Sequence, residues 1–221
     1  MLLRSGFPRS WASLVGFFTA IGLLAGCGSG EPSPARTVAV TSAVTVAAST
    51  TVAASTTVAV PLSVDIIGDS ITAQSKAKLR LDEFKLYIWA VFGITIEEQL
   101  PSLHDSIARS PHVLVIQLGG NDMGHWGPAI VAEVRGVLDA AAGLDCVRWV
   151  NLVTPSPHAA EMNSLLAAEA VARHNFAVID WARAVADHPT WLGPDGIHPT
   201  TDEGELGFDT IVAESVRACP A

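Results

Sequence analysis

The chain has 221 residues, of which 49% are apolar and 16% charged, and its formal net charge is −9. This length suits one domain with additional segments, and the high apolar content excludes a disordered chain. The acidic balance argues against nucleic acid as a partner, and a single apolar stretch of nearly membrane-spanning length excludes a multi-span membrane protein.

Residues 1–27 have the features of a signal peptide. Arg4 and Arg9 precede an apolar run, 11–24, that is shorter than the ~20 residues of a membrane-crossing helix. The run ends in Leu-Ala-Gly directly before Cys27, which resembles the lipobox of bacterial lipoproteins, whose cysteine is lipidated. The resemblance implies export and a lipid anchor on Cys27 at the outer face of the cell membrane. The alternative is an ordinary signal peptide cut near Ala25, which would give a secreted protein.

Residues 28–61 have the composition of a linker. The six-residue sequence Thr-Val-Ala-Ala-Ser-Thr occurs at 45–50 and again at 51–56. A segment so poor in large apolar side chains cannot offset the entropy of ordering. Two and a half copies are also too few to build a solenoid. We therefore expect a disordered tether that holds the folded domain away from the membrane.

From residue 62 to 221, short apolar runs alternate with helical patterns. The pattern predicts strands at 62–68, 86–92, 113–118, 147–153 and 177–179, and helices at 72–84, 96–108, 128–142, 159–173 and 204–218. The almost wholly apolar segment 113–118 is typical of a buried parallel strand. Five such units imply a three-layer α/β/α sandwich around a five-stranded parallel sheet. In these sheets ligands bind beyond the carboxyl ends of the strands.

Four short motifs follow predicted strands or lie near the C-terminus. They are Gly-Asp-Ser ending at Ser70, a glycine at Gly93, Gly-Gly-Asn-Asp containing Asn121, and Asp-Gly-Ile-His running from Asp195 to His198. In this order they resemble the motifs of the SGNH, or GDSL, hydrolase superfamily, over nearly all of the domain. The Gly-x-Ser-x-Gly motif of the other large esterase fold is absent. The resemblance implies a flavodoxin-like fold and serine esterase activity.

The chemistry of these residues fits the resemblance. Ser70 would be the nucleophile, His198 the base that activates it, and Asp195 the group that orients the imidazole. The resemblance assigns the oxyanion hole to the amides of Ser70 and Gly93 and to the side chain of Asn121.

Other roles for these residues remain open at this point. Ser70 could merely cap the following helix, and we expect a capping role for Asp122 at the next helix. Asp195 and His198 could bind a metal, but no other multi-ligand spacing accompanies them. We therefore expect neither a metal nor an organic cofactor.

Three further aromatic side chains are candidates for the wall of the pocket. His125 and Trp126 follow the Asn121 motif closely, and Trp191 lies in the loop before Asp195. Packing in the core is the alternative for each.

The two remaining cysteines fit a disulfide. Cys146 lies at the start of the fourth strand and Cys219 at the end of the last helix, and both positions belong to the edge of the sheet opposite the motifs. Because an exported domain is in an oxidising setting, we expect a bridge between them. The alternative is two buried free thiols.

These observations predict an exported serine esterase. It would act as a monomer, through an acyl-enzyme on Ser70, on short acyl esters or on O-acyl groups of carbohydrates. The expected partners are a small-molecule or glycan ester and, through the lipid on Cys27, the membrane. One alternative is an O-acyltransferase that uses the same triad on a cell-envelope glycan. The other is a surface lipoprotein that binds glycans without catalysis.

Overall fold

The computed structural model describes residues 61–220. The predicted signal peptide, Cys27 and nearly all of the predicted linker lie outside the described residues. No helix within 61–220 is long and apolar enough to cross a bilayer.

Five strands form one parallel sheet in this part of the chain. They are β1 (Ser63–Gly68), β2 (Lys85–Ala90), β3 (Val113–Gln117), β4 (Cys146–Val150) and β5 (Phe176–Ile179). Their order is β2-β1-β3-β4-β5, and every neighbouring pair is parallel. This is the flavodoxin-like order, in which the chain changes direction between β1 and β3. A crevice therefore opens beyond the carboxyl ends of these two strands.

Helices cover both faces of the sheet. They are α1 (Ser70–Ser75), α2 (Ile96–Arg109), α3 (Pro128–Ala140), α4 (Ala159–Ala172), α5 (Trp181–Asp187) and α6 (Asp202–Arg217). One core cluster joins α2, α3 and α4 to the sheet, and a second joins α1, α5 and α6 to it. The predicted three-layer α/β/α sandwich is thus confirmed.

Two helical predictions were wrong. The first helix ends at Ser75 rather than at 84, and turns follow it. Leu79 and Leu81 are both buried, and residues two apart share a side in an extended segment but not in a helix. The short helix α5 was not predicted, because its seven residues are too few to give a clear helical period.

Asp122 caps a different helix from the one expected. Its carboxylate accepts from the amide of Ile96 at 3.2 Å, so it caps α2 rather than the helix that follows it in sequence. The turn after β3 brings it over the start of α2, where Thr95 and Glu98 form a capping box. Burial raises the pKa of Asp122 to about 6.

A disulfide joins Cys146 at the start of β4 to Cys219, just after α6, with 6.0 Å between the Cα atoms. The predicted bridge is therefore present, and it fastens the C-terminal helix to the sheet on the edge opposite the motifs.

Candidate active site

The turn from β1 into α1 leaves one backbone amide unpaired. Asp69 caps the helix by accepting from Ile71 N at 3.0 Å. The side-chain oxygen of Gln117 accepts from Thr72 N at 3.2 Å. The first amides of a helix have no partner within it. Among the described residues the amide of Ser70 alone in this turn keeps no acceptor, so it is free to donate to a ligand.

Gln117, which was not among the predicted site residues, holds this turn in place. It is buried at the end of β3, and its Oε1 also accepts from Asp69 N at 3.2 Å and from Thr72 Oγ1 at 2.9 Å. The bonds fall on both sides of Ser70. A signal was present in the sequence, because Gln117 is the one polar residue in the apolar run 113–118.

A tight turn presents Asp195 and His198 to the same side. Asp195 Oδ1 accepts from Ile197 N at 2.9 Å and from His198 N at 3.1 Å. Gly196 has φ of +68°, which a residue with a Cβ rarely adopts. The amide of Gly193 closes the turn by donating to His198 O at 2.8 Å.

Three side chains form a continuous hydrogen-bonded chain. Ser70 Oγ lies 2.8 Å from His198 Nε2, and His198 Nδ1 lies 2.8 Å from Asp195 Oδ2. The hydrogen bond from His198, with those from two backbone amides, lowers the pKa of Asp195 to about 2. Asp195 is therefore ionised at neutral pH, so it can hold the imidazole in one orientation and stabilise its protonated form.

Asn121 lies beside the loop that carries Gly93. Its Nδ2 donates to Ile94 O at 2.9 Å and makes a longer contact of 3.4 Å with Asp69 Oδ2. The loop begins where Val91 N donates to Gly68 O at 3.2 Å. Gly93 has φ of +73°. The structure therefore brings both residues to the carboxyl edge of the strands, where Asn121 lines the cleft that holds Ser70 and Gly93 does not.

A small cleft of about 80 Å³ opens beside Ser70, Asn121 and His198. Its walls are formed by Ile71, Gln117, Gly120, Trp181, Ile197 and the loop 150–154 that follows β4. Trp181 was not a predicted lining residue, because no helix was predicted between 179 and 204.

The three aromatic residues predicted to line this cleft do not line it. The indole of Trp126 is held toward α4, where its Nε1 donates to Glu161 Oε2 at 2.7 Å. Trp191 is stacked between Trp181 and His188. His125 is exposed at the end of the 3-10 turn after β3.

Across residues 61–220, no three His, Cys, Asp or Glu side chains lie close enough together to hold a metal ion.

Known sequences give a partial match. No family model matches the chain. Proteins of Staphylococcus aureus provisionally named O-acetyltransferases are 26% identical over 136 residues. The match covers 60% of this chain but 22% of the relative, so the chain spans about a fifth of the length of these curated relatives.

Solved structures give a broader match. The C-terminal catalytic domain of peptidoglycan O-acetyltransferase A from Streptococcus pneumoniae, solved with a methylsulfonyl adduct, superposes with a TM-score of 0.59 at 16% identity. The alignment covers 72% of this chain and 94% of that domain. A member of the lipolytic G-D-S-L family from Veillonella parvula superposes with a TM-score of 0.58 at 14% identity. That alignment covers 71% of this chain and 99% of the other. An acetylxylan esterase from Geobacillus stearothermophilus superposes with a TM-score of 0.56 at 15% identity. That alignment covers 70% of this chain and 94% of the other. At these identities the likeness establishes a common fold.

Proposed function

We propose that this chain, which has the SGNH hydrolase fold, is a serine esterase that acts on carboxylic esters through Ser70. The observation that carries the proposal is the chain of two 2.8 Å hydrogen bonds from Ser70 through His198 to Asp195. A serine that only capped a helix would have no need of an oriented imidazole at its hydroxyl.

The first half of the reaction acylates Ser70. His198 Nε2 takes the hydroxyl proton as Ser70 Oγ attacks the ester carbonyl, and Asp195 stabilises the imidazolium. When the tetrahedral intermediate collapses, the bond to the alkoxide breaks and His198 returns the proton to that leaving group. An acyl-enzyme remains. Water, activated by the same base, then attacks it and releases the carboxylic acid.

The negative charge on the intermediate needs hydrogen-bond donors. The free amide of Ser70 supplies one, at the N-terminus of α1 where the helix dipole favours an anion. In this proposal the amide of Gly93 is the second. The third is Asn121 Nδ2, whose 3.4 Å contact with Asp69 is long enough to be exchanged for a substrate oxygen.

The size of the cleft favours a short acyl group. A space of about 80 Å³ accommodates few carbon atoms, and the fully buried Trp181 contributes to its wall. We therefore propose acetyl or similarly short esters, including O-acyl groups on carbohydrate. Acetylxylan esterase and peptidoglycan O-acetyltransferase, the names of two structural neighbours, agree with this class.

Hydrolysis of p-nitrophenyl acetate by the protein and by its Ser70→Ala variant tests the proposal. We expect the wild type to be active and the variant to lose at least roughly 10³-fold in kcat. Ser102→Ala, a change of a half-buried serine on α2 that does not line the cleft, should match the wild type. Methanesulfonyl fluoride should modify Ser70, as read by mass spectrometry of the peptide. Equal activity in the wild type and Ser70→Ala would refute the assignment.

An O-acyltransferase is the second candidate, favoured by the sequence match to the Staphylococcus aureus proteins. A sugar hydroxyl would then replace water in attacking the acyl-enzyme. Product analysis with an acetyl ester donor and an oligosaccharide acceptor separates the two, because transfer gives acetylated sugar and hydrolysis gives acetate.

The proposed cellular location of the protein rests on its N-terminal sequence alone. We propose export and lipid attachment at Cys27, with the domain held outside the membrane by residues 28–61. Expression in a bacterium with a radiolabelled fatty acid tests this, because Cys27→Ser should abolish labelling while wild type is labelled.

A further inference from the structure

A second surface, open to solvent, lies between the N-terminal halves of α3 and α4. This α3–α4 groove is lined by Trp126, Val131, Arg135, Glu161, Leu165 and Ala168, among others. At the N-terminal end of the two helices, Trp126 Nε1 donates to Glu161 Oε2 at 2.7 Å across the groove. Further along the helices, Arg135 Nε of α3 donates to Glu169 Oε1 of α4 at 2.8 Å. Eight residues of α4 separate these two hydrogen bonds, which is about 12 Å along the helix.

The same two segments of the chain, those that follow β3 and β4, contribute to the catalytic cleft and to the groove. The loop after β3 places Gly120 and Asn121 in the cleft and Trp126 in the groove. The segment after β4 places 150–154 in the cleft and Glu161 in the groove. Both helices start at the carboxyl edge of the sheet, so a polymer whose ester lies at Ser70 can continue between them.

The chemistry of the groove suits a neutral, amphipathic chain. Val131, Leu165 and Ala168 give it an apolar floor. Its charged side chains already have hydrogen-bond partners, because Arg135 donates to Glu169, and Glu161 accepts from Trp126 and lies 2.9 Å from His158 Nδ1. A charged ligand would have to displace these partners.

Trp126 is suited to be a stacking platform. It is half-buried, and the bond from its Nε1 to Glu161 fixes the plane of the ring. Pyranose rings have apolar C–H faces and hydroxyl edges. Such a ring can stack on the indole while its hydroxyls reach the polar groups at either end of the groove.

We propose that the α3–α4 groove binds the saccharide chain of a glycan ester, with Trp126 as its stacking platform. The inference rests on the proposed function for the ester, but the binding of the saccharide itself does not require catalysis.

The first test measures binding of xylohexaose and of chitohexaose, two unacylated neutral saccharides, to the full-length protein by calorimetry. We expect at least one to bind, and Trp126→Ala to weaken its binding roughly tenfold or more. Trp126→Phe keeps an aromatic face and should retain most of the affinity. Val171→Ala, an exposed residue of α4 outside the groove, is the matched control and should bind as the wild type does. No binding of either saccharide, or equal binding by Trp126→Ala, would overturn the proposal.

The second test compares two esters, acetylated xylo-oligosaccharide and p-nitrophenyl acetate. We expect Trp126→Ala to raise KM for the saccharide ester roughly tenfold more than KM for the small ester, with kcat for the saccharide ester largely retained. An equal effect on both esters would overturn the glycan role. If the wild type hydrolyses neither ester, the esterase proposal fails, and hexasaccharide binding still decides the role of the groove.

Discussion

Single residues decide how sharply the nucleophile is positioned, and Gln117 shows this best. Its side-chain oxygen accepts from Asp69 N and from both the amide and the hydroxyl of Thr72. Ser70 lies between these anchors. The position of its hydroxyl therefore depends on a side chain from the neighbouring strand, 47 residues further along the chain.

Replacing Gln117 by Leu should lower kcat while changing KM little. The variant removes all three acceptor contacts, and a displaced nucleophile costs on the order of 10²-fold in rate per ångström, whereas the other residues that line the cleft are unchanged. Steady-state kinetics on p-nitrophenyl acetate provide the measurement.

Gln99→Leu is the control for this variant, since Gln99 is also buried, and among residues 61–220 its side chain hydrogen-bonds only Gly68 O, at 3.4 Å. Both variants should lose some thermal stability, and only Gln117→Leu should lose kcat. If both lose kcat alike, Gln117 has no special positioning role.

At the scale of elements, α6 carries a buried acid that is poorly paired. Asp209 is 4% exposed, and its Oδ2 has no hydrogen-bond partner among the described residues. Burial, together with repulsion by Glu205, raises its pKa to about 7, although Arg80 and Lys78 act in the opposite direction. The unfolded chain has the ordinary value near 3.9. The folded state therefore retains this proton at pH values where the unfolded state has lost it.

This pKa predicts that Asp209 destabilises the fold as pH rises. Below pH 4 the group is protonated in both states and contributes no penalty. Between about pH 4 and 7 the penalty grows, and above pH 7 it stays constant at roughly 2–4 kcal/mol. Asp209→Asn should therefore gain stability relative to wild type between pH 4 and pH 8, as measured by Tm. Glu214→Gln, an exposed change on the same helix, should show no such gain. A constant Tm difference for Asp209→Asn would contradict the prediction.

At the scale of the whole molecule, the Cys146–Cys219 disulfide ties the last helix to the sheet across 73 residues of sequence. Closing so long a loop restricts the unfolded chain, which stabilises the fold by roughly 2–4 kcal/mol. A reductant should therefore lower the Tm of the wild type. It should leave the Tm of the double variant Cys146→Ser, Cys219→Ser unchanged, at about the value of the reduced wild type. A wild-type Tm that does not respond to a reductant would show that the bridge carries no stability.

Much of the architecture was readable from the sequence. Apolar runs such as 113–118 are continuous because a central parallel strand is buried on both faces, and that pattern identified all five strands. The prediction was wrong where the signal is not periodic. α1 ends at Ser75, and the segment that follows buries Leu79 and Leu81 on the same side without being a helix. α5 is too short to show a helical period.

The sequence by itself determined the five strands, the longer helices and the residues of the candidate triad, because local periodicity and short motifs are properties of neighbouring residues. Only the tertiary structure decided what surrounds the triad. Gln117 reaches the Ser70 turn from the adjacent strand, Trp181 contributes to the wall of the cleft, and Trp126 turns away toward Glu161. Each of these contacts joins residues far apart in the chain. Their partners are set by strand order and helix packing, which bring distant segments together, and no local pattern encodes them.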